Sequence, residues 1–210
     1  MKMRILSGAL LFTGTVLIGV PAGATNIGNG MSGPPDVLTE TGTLLASTGV
    51  LPFSTATYSG TYEAAVYKEA GGTLDFLYQI QNNSSSSDSI DRATAASFKG
   101  FTTDVGYDPT FNLPGFTGTV KPDTVDKSST GTTVGWNTVP PGIDPGTTSY
   151  VLQIDTNATA FMAGTFSMID SRTFDGVGYQ PTVPEPASLA LIGVGLLGLA
   201  ALRKRRSSNK

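Results

Sequence analysis

The 210-residue sequence contains no cysteine and no histidine. Without cysteine the chain has no disulfide framework, so packing must stabilise its fold. Without either residue it lacks the ligands of ordinary zinc sites, and no histidine can activate a serine nucleophile. Calcium prefers oxygen ligands, so a calcium site is still compatible with the composition. The two absences therefore exclude ordinary zinc centres and histidine-dependent hydrolases.

Basic residues are scarce between the two ends of the chain. Residues 25–182 hold 6 lysines and arginines against 15 aspartates and glutamates, which gives this segment a net charge of −9. The charge of the whole chain, −3, conceals the imbalance because basic residues are concentrated at both ends. We call residues 25–182 the body of the chain. A strongly acidic body repels nucleic acid and anionic lipid. We therefore expect no nucleic-acid partner.

The first 24 residues have the order of features found in a secretory signal peptide. Lys2 and Arg4 precede an apolar run, and the small residues Ala22 and Ala24 follow it at the spacing that signal peptidase requires. We predict that residues 1–24 form a signal helix, which the Sec machinery and signal peptidase recognise and which is cleaved after Ala24. The alternative, an uncleaved anchor, is disfavoured because the run is short and the small-residue site follows at once.

The apolar residues of the body recur with a period of two, which is typical of strands with one buried face. Every second residue from Leu74 to Ile80 is apolar, and Leu77 on the opposite face is the exception. A β-rich run at residues 62–68 precedes this segment and ends at an Ala-Gly-Gly turn. Because glycine permits the positive φ angles of a tight connection, we predict a hairpin.

Five further segments have the same β-rich character, and proline- and glycine-containing turns separate them. These segments are residues 37–46, 93–103, 132–137, 149–155 and 165–169. No part of the body has the apolar stripe of a helix, and residues 82–89 are polar enough to form a solvated loop. The pattern predicts that residues 25–182 form an exported all-β domain, a sandwich or jelly roll of about six to nine short antiparallel strands.

The carboxylates of the body do not form a recognisable catalytic pattern. The aspartates in question are Asp75, Asp91, Asp104, Asp108, Asp123, Asp126, Asp155, Asp170 and Asp175. A glycosidase needs two facing carboxyl groups, and no spacing marks such a pair. We expect each aspartate to lie in a turn or on a solvated strand face. Asp104 and Asp108 could bind a cation as loop residues, but they lack the EF-hand pattern, so we predict no metal site, no cofactor and no catalytic residue.

The aromatic residues that could stack on a sugar are few. Trp136 is the only tryptophan, and an isolated aromatic in a strand favours a place in the core. Tyr58, Tyr107 and Tyr150 are the other residues that could contribute to a sugar platform. A carbohydrate-binding jelly roll therefore stays open as an alternative function, and an aspartate-dependent glycosidase ranks below it.

The C-terminal segment combines an apolar run with a basic cluster. Residues 187–202 are 16 consecutive uncharged residues, followed by Arg203, Lys204, Arg205 and Arg206. As a helix this run would reach about 24 Å, against about 30 Å for the hydrocarbon core of a bilayer. We predict a short transmembrane helix whose basic end stays on the cytoplasmic side. Hydropathy alone would favour a plain C-terminal anchor.

A plain anchor does not explain Pro184, Glu185 and Pro186, which stand directly before the apolar run. Proline fixes φ and lacks an N–H donor, so this segment cannot join the helix before Pro186. An extended strand with one carboxylate at the membrane surface is a segment that a processing enzyme could bind.

The order of Val183, Pro184, Glu185 and Pro186, a short apolar span and a terminal basic cluster resembles the PEP-CTERM sorting signal of Gram-negative bacteria that make extracellular polysaccharide. The resemblance implies that residues 183–210 are a sorting signal that an integral-membrane exosortase recognises and cleaves near the motif. Segments of the body, such as "GTLDFLYQIQN" and "GTTVGWN", are also similar to exported proteins with this tail. We therefore expect a non-enzymatic surface protein, held in the membrane as a precursor and then located in the cell envelope or the polysaccharide matrix of a biofilm.

Overall fold

The computed structural model describes residues 26–183, which contain thirteen β-strands and no helix. The strands are β1 (Ser32–Gly33), β2 (Asp36–Val37), β3 (Thr43–Ser47), β4 (Leu51–Ser54), β5 (Ser59–Lys68), β6 (Leu74–Asn82), β7 (Arg92–Ala96), β8 (Thr103–Asp108), β9 (Thr124–Lys127), β10 (Thr133–Asn137), β11 (Val151–Thr156), β12 (Phe161–Ile169) and β13 (Thr173–Pro181). The predicted signal peptide and transmembrane helix lie outside the described residues.

The strands form two sheets that face each other. The seven-stranded sheet has the order β2-β8-β11-β6-β5-β3, with β4 also paired to β5, and the six-stranded sheet has the order β1-β9-β10-β7-β12-β13. The strand pairs are antiparallel except for β2 and β8. The predicted all-β class is thereby confirmed. The strand number exceeds the predicted six to nine because several paired segments are only two to five residues long.

The predicted hairpin is present as β5 and β6, which pair in continuous register from Gly60 with Asn82 to Lys68 with Leu74. Gly72 in the connection has φ +89°, the left-handed conformation that glycine adopts readily. The prediction of one strand over residues 93–103 is wrong. The chain turns between β7 and β8, where Ser97 has φ +71° and Gly100 has φ +89°.

Aromatic side chains from both sheets fill the space between them. Tyr78 of β6 stacks on Phe166 of β12 at a ring-centroid distance of 4.4 Å, and it also contacts Trp136 of β10. Trp136 is fully buried, and its Nε1–H donates to the carbonyl oxygen of Gly106 at 2.8 Å. The prediction that Trp136 is a core residue is confirmed. Its hydrogen bond joins the six-stranded sheet to β8 of the seven-stranded sheet.

Three tyrosine side chains also connect the two sheets, here from the side of the seven-stranded sheet to the six-stranded sheet. Tyr62 and Tyr78 belong to β5 and β6, and Tyr58 directly precedes β5. Each hydroxyl crosses the core and donates to a backbone carbonyl at the β12–β13 hairpin. The bonds run from Tyr58 to Met168 at 2.8 Å, from Tyr62 to Val177 at 3.1 Å and from Tyr78 to Tyr179 at 2.7 Å. A buried hydroxyl needs such a partner, so these bonds fix the position of the hairpin against the opposite sheet.

Strand β13 accommodates these rings because two of its core-facing residues are glycines. A Cβ atom added to Gly176 would lie 2.3 Å from the hydroxyl oxygen of Tyr62, and one added to Gly178 would lie 3.0 Å from Cβ of Phe166. The aromatic rings therefore occupy the volume that side chains of β13 would otherwise fill.

The outer face of the seven-stranded sheet is also partly covered. Leu77 of β6 packs there with Leu113 and Phe116 from the connection between β8 and β9. The amide of Leu113 donates to Oε1 of Gln79 at 2.8 Å, which attaches this connection to the sheet. Leu77 interrupts the alternation of β6 because both faces of the strand are buried at this point.

Candidate functional site

Carboxylates collect at one end of the same outer face. Asp155 of β11 is the register partner of Asp75 on β6 and of Asp104 on β8, so three aspartates form a row across adjacent strands. Like charges placed directly opposite each other destabilise a sheet. Such a row therefore needs a compensating group or a shared proton.

Two glutamates on loops complete what we call the carboxylate cluster, defined as Glu40, Glu69, Asp75, Asp104 and Asp155. Glu40 follows β2, and Glu69 follows β5. Carboxylate oxygens of Glu40, Glu69 and Asp75 all lie within 4.8 Å of one another. The strand register and two loops thus converge on one acidic site.

Two members of the cluster are buried to an unusual degree for carboxylates, while the other three are half-buried. Asp75 is 3% exposed and Asp104 is 6% exposed. Both carboxylate oxygens of Asp104, Oε2 of Glu40 and Oε1 of Glu69 are buried and have no hydrogen-bond partner within residues 26–183. The ion pair present in that part of the chain, Arg92 with Asp126, belongs to the other sheet. Unpaired buried carboxylates are costly, so this arrangement needs an explanation.

The electrostatic consequence is a set of raised pKa values. Burial is the largest cause, and neighbouring carboxyl groups add to it. The pKa of Asp75 rises to about 9, those of Glu40 and Asp104 rise to about 7, and that of Asp155 rises to about 6. At neutral pH Asp75 therefore holds a proton, Glu40 and Asp104 are partly protonated, and Asp155 is mostly ionised.

A polar cavity of about 260 Å³ opens beside the cluster. Every residue that lines it has a side-chain oxygen; the lining comprises Asn26, Thr73, Thr102, Asp104, Asp155, Thr156 and Asn157. No aromatic side chain lines this cavity, so it offers oxygen ligands and hydrogen bonds but no stacking surface for a sugar ring.

Asp108 is buried as well, but its surroundings differ. Its Oδ1 accepts from the amide and hydroxyl of Thr110 and from the amide of Phe111, while Oδ2 accepts from the amide of Glu40. Burial alone would raise the pKa of Asp108, but these four hydrogen bonds hold it below its usual value. Asp108 therefore stabilises the loop after β8 and is not a member of the cluster.

The expectation that the aspartates lie in turns or on solvated faces is wrong for Asp75, Asp104 and Asp108, which are all buried strand residues. The suggestion that Asp104 and Asp108 share a loop is also corrected, because both belong to β8. Sequence reasoning could not find the cluster, since the pairing of β11 with β6 and β8 joins segments far apart in the chain. The one local signal was Asp75, which lies on the polar face of the predicted hairpin.

The tyrosines do not form a common sugar platform. Tyr58 is 1% exposed and bound to backbone carbonyls. Tyr107 and Tyr150 stack on each other with centroids 5.7 Å apart, and both are partly exposed. The structure therefore separates Tyr58 from the other two residues.

The sorting residues adjoin the fold directly. Strand β13 is at the edge of the six-stranded sheet and ends at Pro181, and Val183 is 70% exposed. Pro184, Glu185, Pro186, the basic cluster from Arg203 to Arg206, and the predicted signal peptidase site at Ala22 and Ala24 lie outside the described residues, and they stay predictions. Within residues 26–183, no helix has the length and apolar character needed to cross a membrane.

Comparison with known protein families identifies the C-terminal segment. A family model described as the PEP-CTERM protein-sorting motif matches residues 182–206. Residues 182–206 therefore carry a PEP-CTERM protein-sorting motif, as the sequence resemblance predicts. The motif implies an exported protein with a C-terminal sorting signal that exosortase recognises. Neither curated proteins nor solved structures provide a match to the chain.

The raised pKa values predict an unusual dependence of stability on pH. With a raised folded-state pKa, the folded protein holds protons that the unfolded chain releases, so stability is highest at low pH and falls as pH rises towards 9. One proton held across two pH units corresponds to about 2.7 kcal/mol. Glu40 and Asp104, whose pKa values are raised to about 7, add to this loss, so we expect the unfolding free energy to fall by at least about 3 kcal/mol from pH 6 to pH 8, measured by urea denaturation.

This pH window is diagnostic because the chain has no histidine, whose imidazole would ordinarily titrate there. The isosteric variant Asp75→Asn should reduce the slope by the contribution of one proton, about 1.4 kcal/mol per pH unit, whereas Asp123→Asn, at an exposed carboxylate outside the cluster, should retain the full slope. A flat profile for the unmodified chain would show that the cluster does not hold protons in this range.

Proposed function

We propose that this chain is a non-catalytic surface protein that exosortase cleaves through its C-terminal tail. In this proposal the precursor is anchored in the membrane of a Gram-negative cell by residues 187–202. After cleavage, the mature β-sandwich stays with the extracellular polysaccharide of the envelope or biofilm matrix.

The observation that carries the proposal is the position of the sorting motif relative to the last strand. The motif begins at residue 182, and β13 ends at Pro181. Cleavage within the motif would therefore leave all thirteen strands in the mature product. A sorting signal at this position follows the folded domain, so its cleavage does not require the β-sandwich to rearrange.

The non-catalytic part of the proposal is supported by the chemistry of the body. Cysteine and histidine are absent from the chain. The cavity beside the carboxylate cluster has no aromatic lining on which a sugar could stack. Catalytic carboxylate pairs need open access to a substrate, whereas the oxygens of Asp104 are buried.

Cell fractionation of strains with and without exosortase tests the sorting step. We expect the protein in the polysaccharide fraction of the exosortase-containing strain and in the membrane fraction of the deficient strain. The same distribution in both strains would contradict the proposal.

Polysaccharide digestion tests the matrix step separately. Treating the extracellular fraction with polysaccharide-degrading enzymes should release the protein into solution, while heat-inactivated enzymes should not. Retention after complete digestion would contradict a matrix location, and shortening of the polymer by the purified protein alone would contradict the non-catalytic assignment.

A further inference from the structure

Both ends of the described chain leave the β-sandwich on the same side. Asn26 pairs with Asp104 near the start of β8, and the start of β8 is the register partner of the end of β11. Four residues then join the end of β11 to the start of β12, where Phe161 pairs with Pro181 at the end of β13. We call this side of the sandwich the tail end. The predicted signal peptide and the sorting tail are therefore both attached there.

The connection between the tail end and the predicted membrane span is short. The amide of Thr182 donates to the carbonyl oxygen of Ala160 at 2.9 Å, so sheet pairing holds the chain up to this residue. Five steps lead from Thr182 to Ala187, where the predicted span begins, and an extended chain covers about 17 Å in five steps. The headgroup layer takes up about 5–8 Å of this length, and the span of about 24 Å is about 6 Å shorter than the hydrocarbon core. The tail end therefore lies close to the membrane surface whenever the span is inserted.

The segment before β1 lies at the tail end as well. The carbonyl oxygen of Met31 accepts from the amide of Lys127, the last residue of β9, at 3.0 Å. The turn that follows Lys127 bonds to the turn before β8, since the amide of Phe98 donates to the carbonyl oxygen of Thr132 at 3.0 Å. Met31 is thus placed on the same side as β12 and the sorting tail, but on the far side of the six-stranded sheet.

Apolar side chains are exposed across this end. Met31, Met162 and Val183 are 60%, 51% and 70% exposed. Three strands separate β1 from β12 in the sheet, which places Met31 about 19 Å from Met162. Apolar side chains that are held at a membrane surface gain free energy by entering the headgroup boundary. We propose that the tail end docks on the outer surface of the membrane in the precursor, with Met31, Met162 and Val183 in contact with zwitterionic lipid.

The charge of the tail end selects the kind of lipid. The carboxylate cluster lies at this end, because Asp104 and Asp155 are register partners near the start of β8 and the end of β11. These carboxylates repel an anionic surface, whereas a zwitterionic lipid carries no net charge. Burial raises the pKa of Asp75 to about 9, which removes one negative charge from this end at neutral pH.

The rival arrangement is a domain that hangs from its tail without touching the lipid. This docking rests on the membrane-anchored precursor of the proposed function, but anchoring alone does not require it. Met162 and Val183 lie beside the tether and would approach the lipid in either arrangement. Met31 lies across the sheet from the tether, so it contacts the lipid only if the whole end is docked.

Single-cysteine variants of the full chain test the docking, since the chain has no cysteine of its own. Met31→Cys, Met162→Cys and Ser171→Cys each carry one fluorescent NBD label, and Ser171 lies in the β12–β13 turn, about 30 Å from Met162 along the hairpin. Each labelled protein is reconstituted into phosphatidylcholine vesicles with and without a nitroxide on the lipid headgroup, which quenches the fluorescence at short range. We expect the labels at positions 31 and 162 to be quenched several-fold more than the label at position 171.

Flotation of the vesicles on a density gradient distinguishes failure of the docking from failure of the proposed function. Protein that does not float with the vesicles lacks the membrane anchor, which would contradict the proposed function and the docking with it. If the protein floats but the label at position 31 is quenched no more than the label at position 171, the domain hangs from its tail and the docking is wrong. Shielding of the labels at positions 31 and 162 without quenching would indicate that a second copy of the chain covers this end, and it would also overturn the docking.

Discussion

Replacing Pro184, Glu185 and Pro186 together with alanine is expected to block maturation and leave the uncleaved precursor in the membrane fraction. The change removes the only carboxylate of the segment and the two residues that fix φ and lack N–H donors. We expect Glu185 to pair with a basic group of the processing enzyme, and losing one partner of such a pair costs about 2–5 kcal/mol, so processing should slow by on the order of 30-fold or more. Pulse-chase labelling with separation of precursor and mature forms measures this rate.

A matched control places three alanines at Ser207, Ser208 and Asn209, beyond the residues that the motif covers. This variant should mature at the normal rate. If the variant with alanine at Pro184, Glu185 and Pro186 matured normally, the processing enzyme would not recognise these residues. The tail would then act as an ordinary membrane anchor.

Trp136→Ala is expected to have the largest effect on the stability of the sandwich. The side chain is fully buried between the sheets, and its indole N–H donates to Gly106 across the core. Truncating a buried tryptophan typically costs about 3–5 kcal/mol, and the carbonyl of Gly106 would lose its partner. Since domains have only about 5–15 kcal/mol of stability, urea denaturation followed by circular dichroism should show a large loss.

Trp136→Phe separates packing from hydrogen bonding. It keeps an aromatic ring in the core but removes the N–H donor, so we expect a smaller loss of about 1–3 kcal/mol. If Trp136→Ala changed the unfolding free energy by less than about 0.5 kcal/mol, neither the packing nor the hydrogen bond of this side chain would hold the two sheets together.

The sequence predicts those parts of the fold that local patterns specify. Alternation from Leu74 to Ile80 and the glycines after residue 70 are sufficient to place the β5–β6 hairpin, because register across a tight turn is a local property. The sequence pattern does not predict strand β13, and the reason is physical. Its core-facing Gly176 and Gly178 remove the apolar signal, since rings from the opposite sheet fill that space.

The two sites differ in how far the sequence predicts them. The sorting motif is contiguous, so Val183, Pro184, Glu185 and Pro186 identify it without a structure. The carboxylate cluster depends on the register of β11 with β6 and β8 and on two loops that bring in Glu40 and Glu69. Nothing local in the sequence specifies that long-range pairing. The burial that raises the pKa of Asp75 appears only when the sheet is assembled.

Intact-mass measurement of the protein isolated from the extracellular polysaccharide of its own cells tests the central claim most directly. Recognition and cleavage by exosortase predict a mature chain that lacks residues 203–210 and retains the sandwich up to Pro181. A mass that includes the basic residues Arg203, Lys204, Arg205 and Arg206 would contradict C-terminal processing, and with it the assignment of this chain as an exosortase substrate.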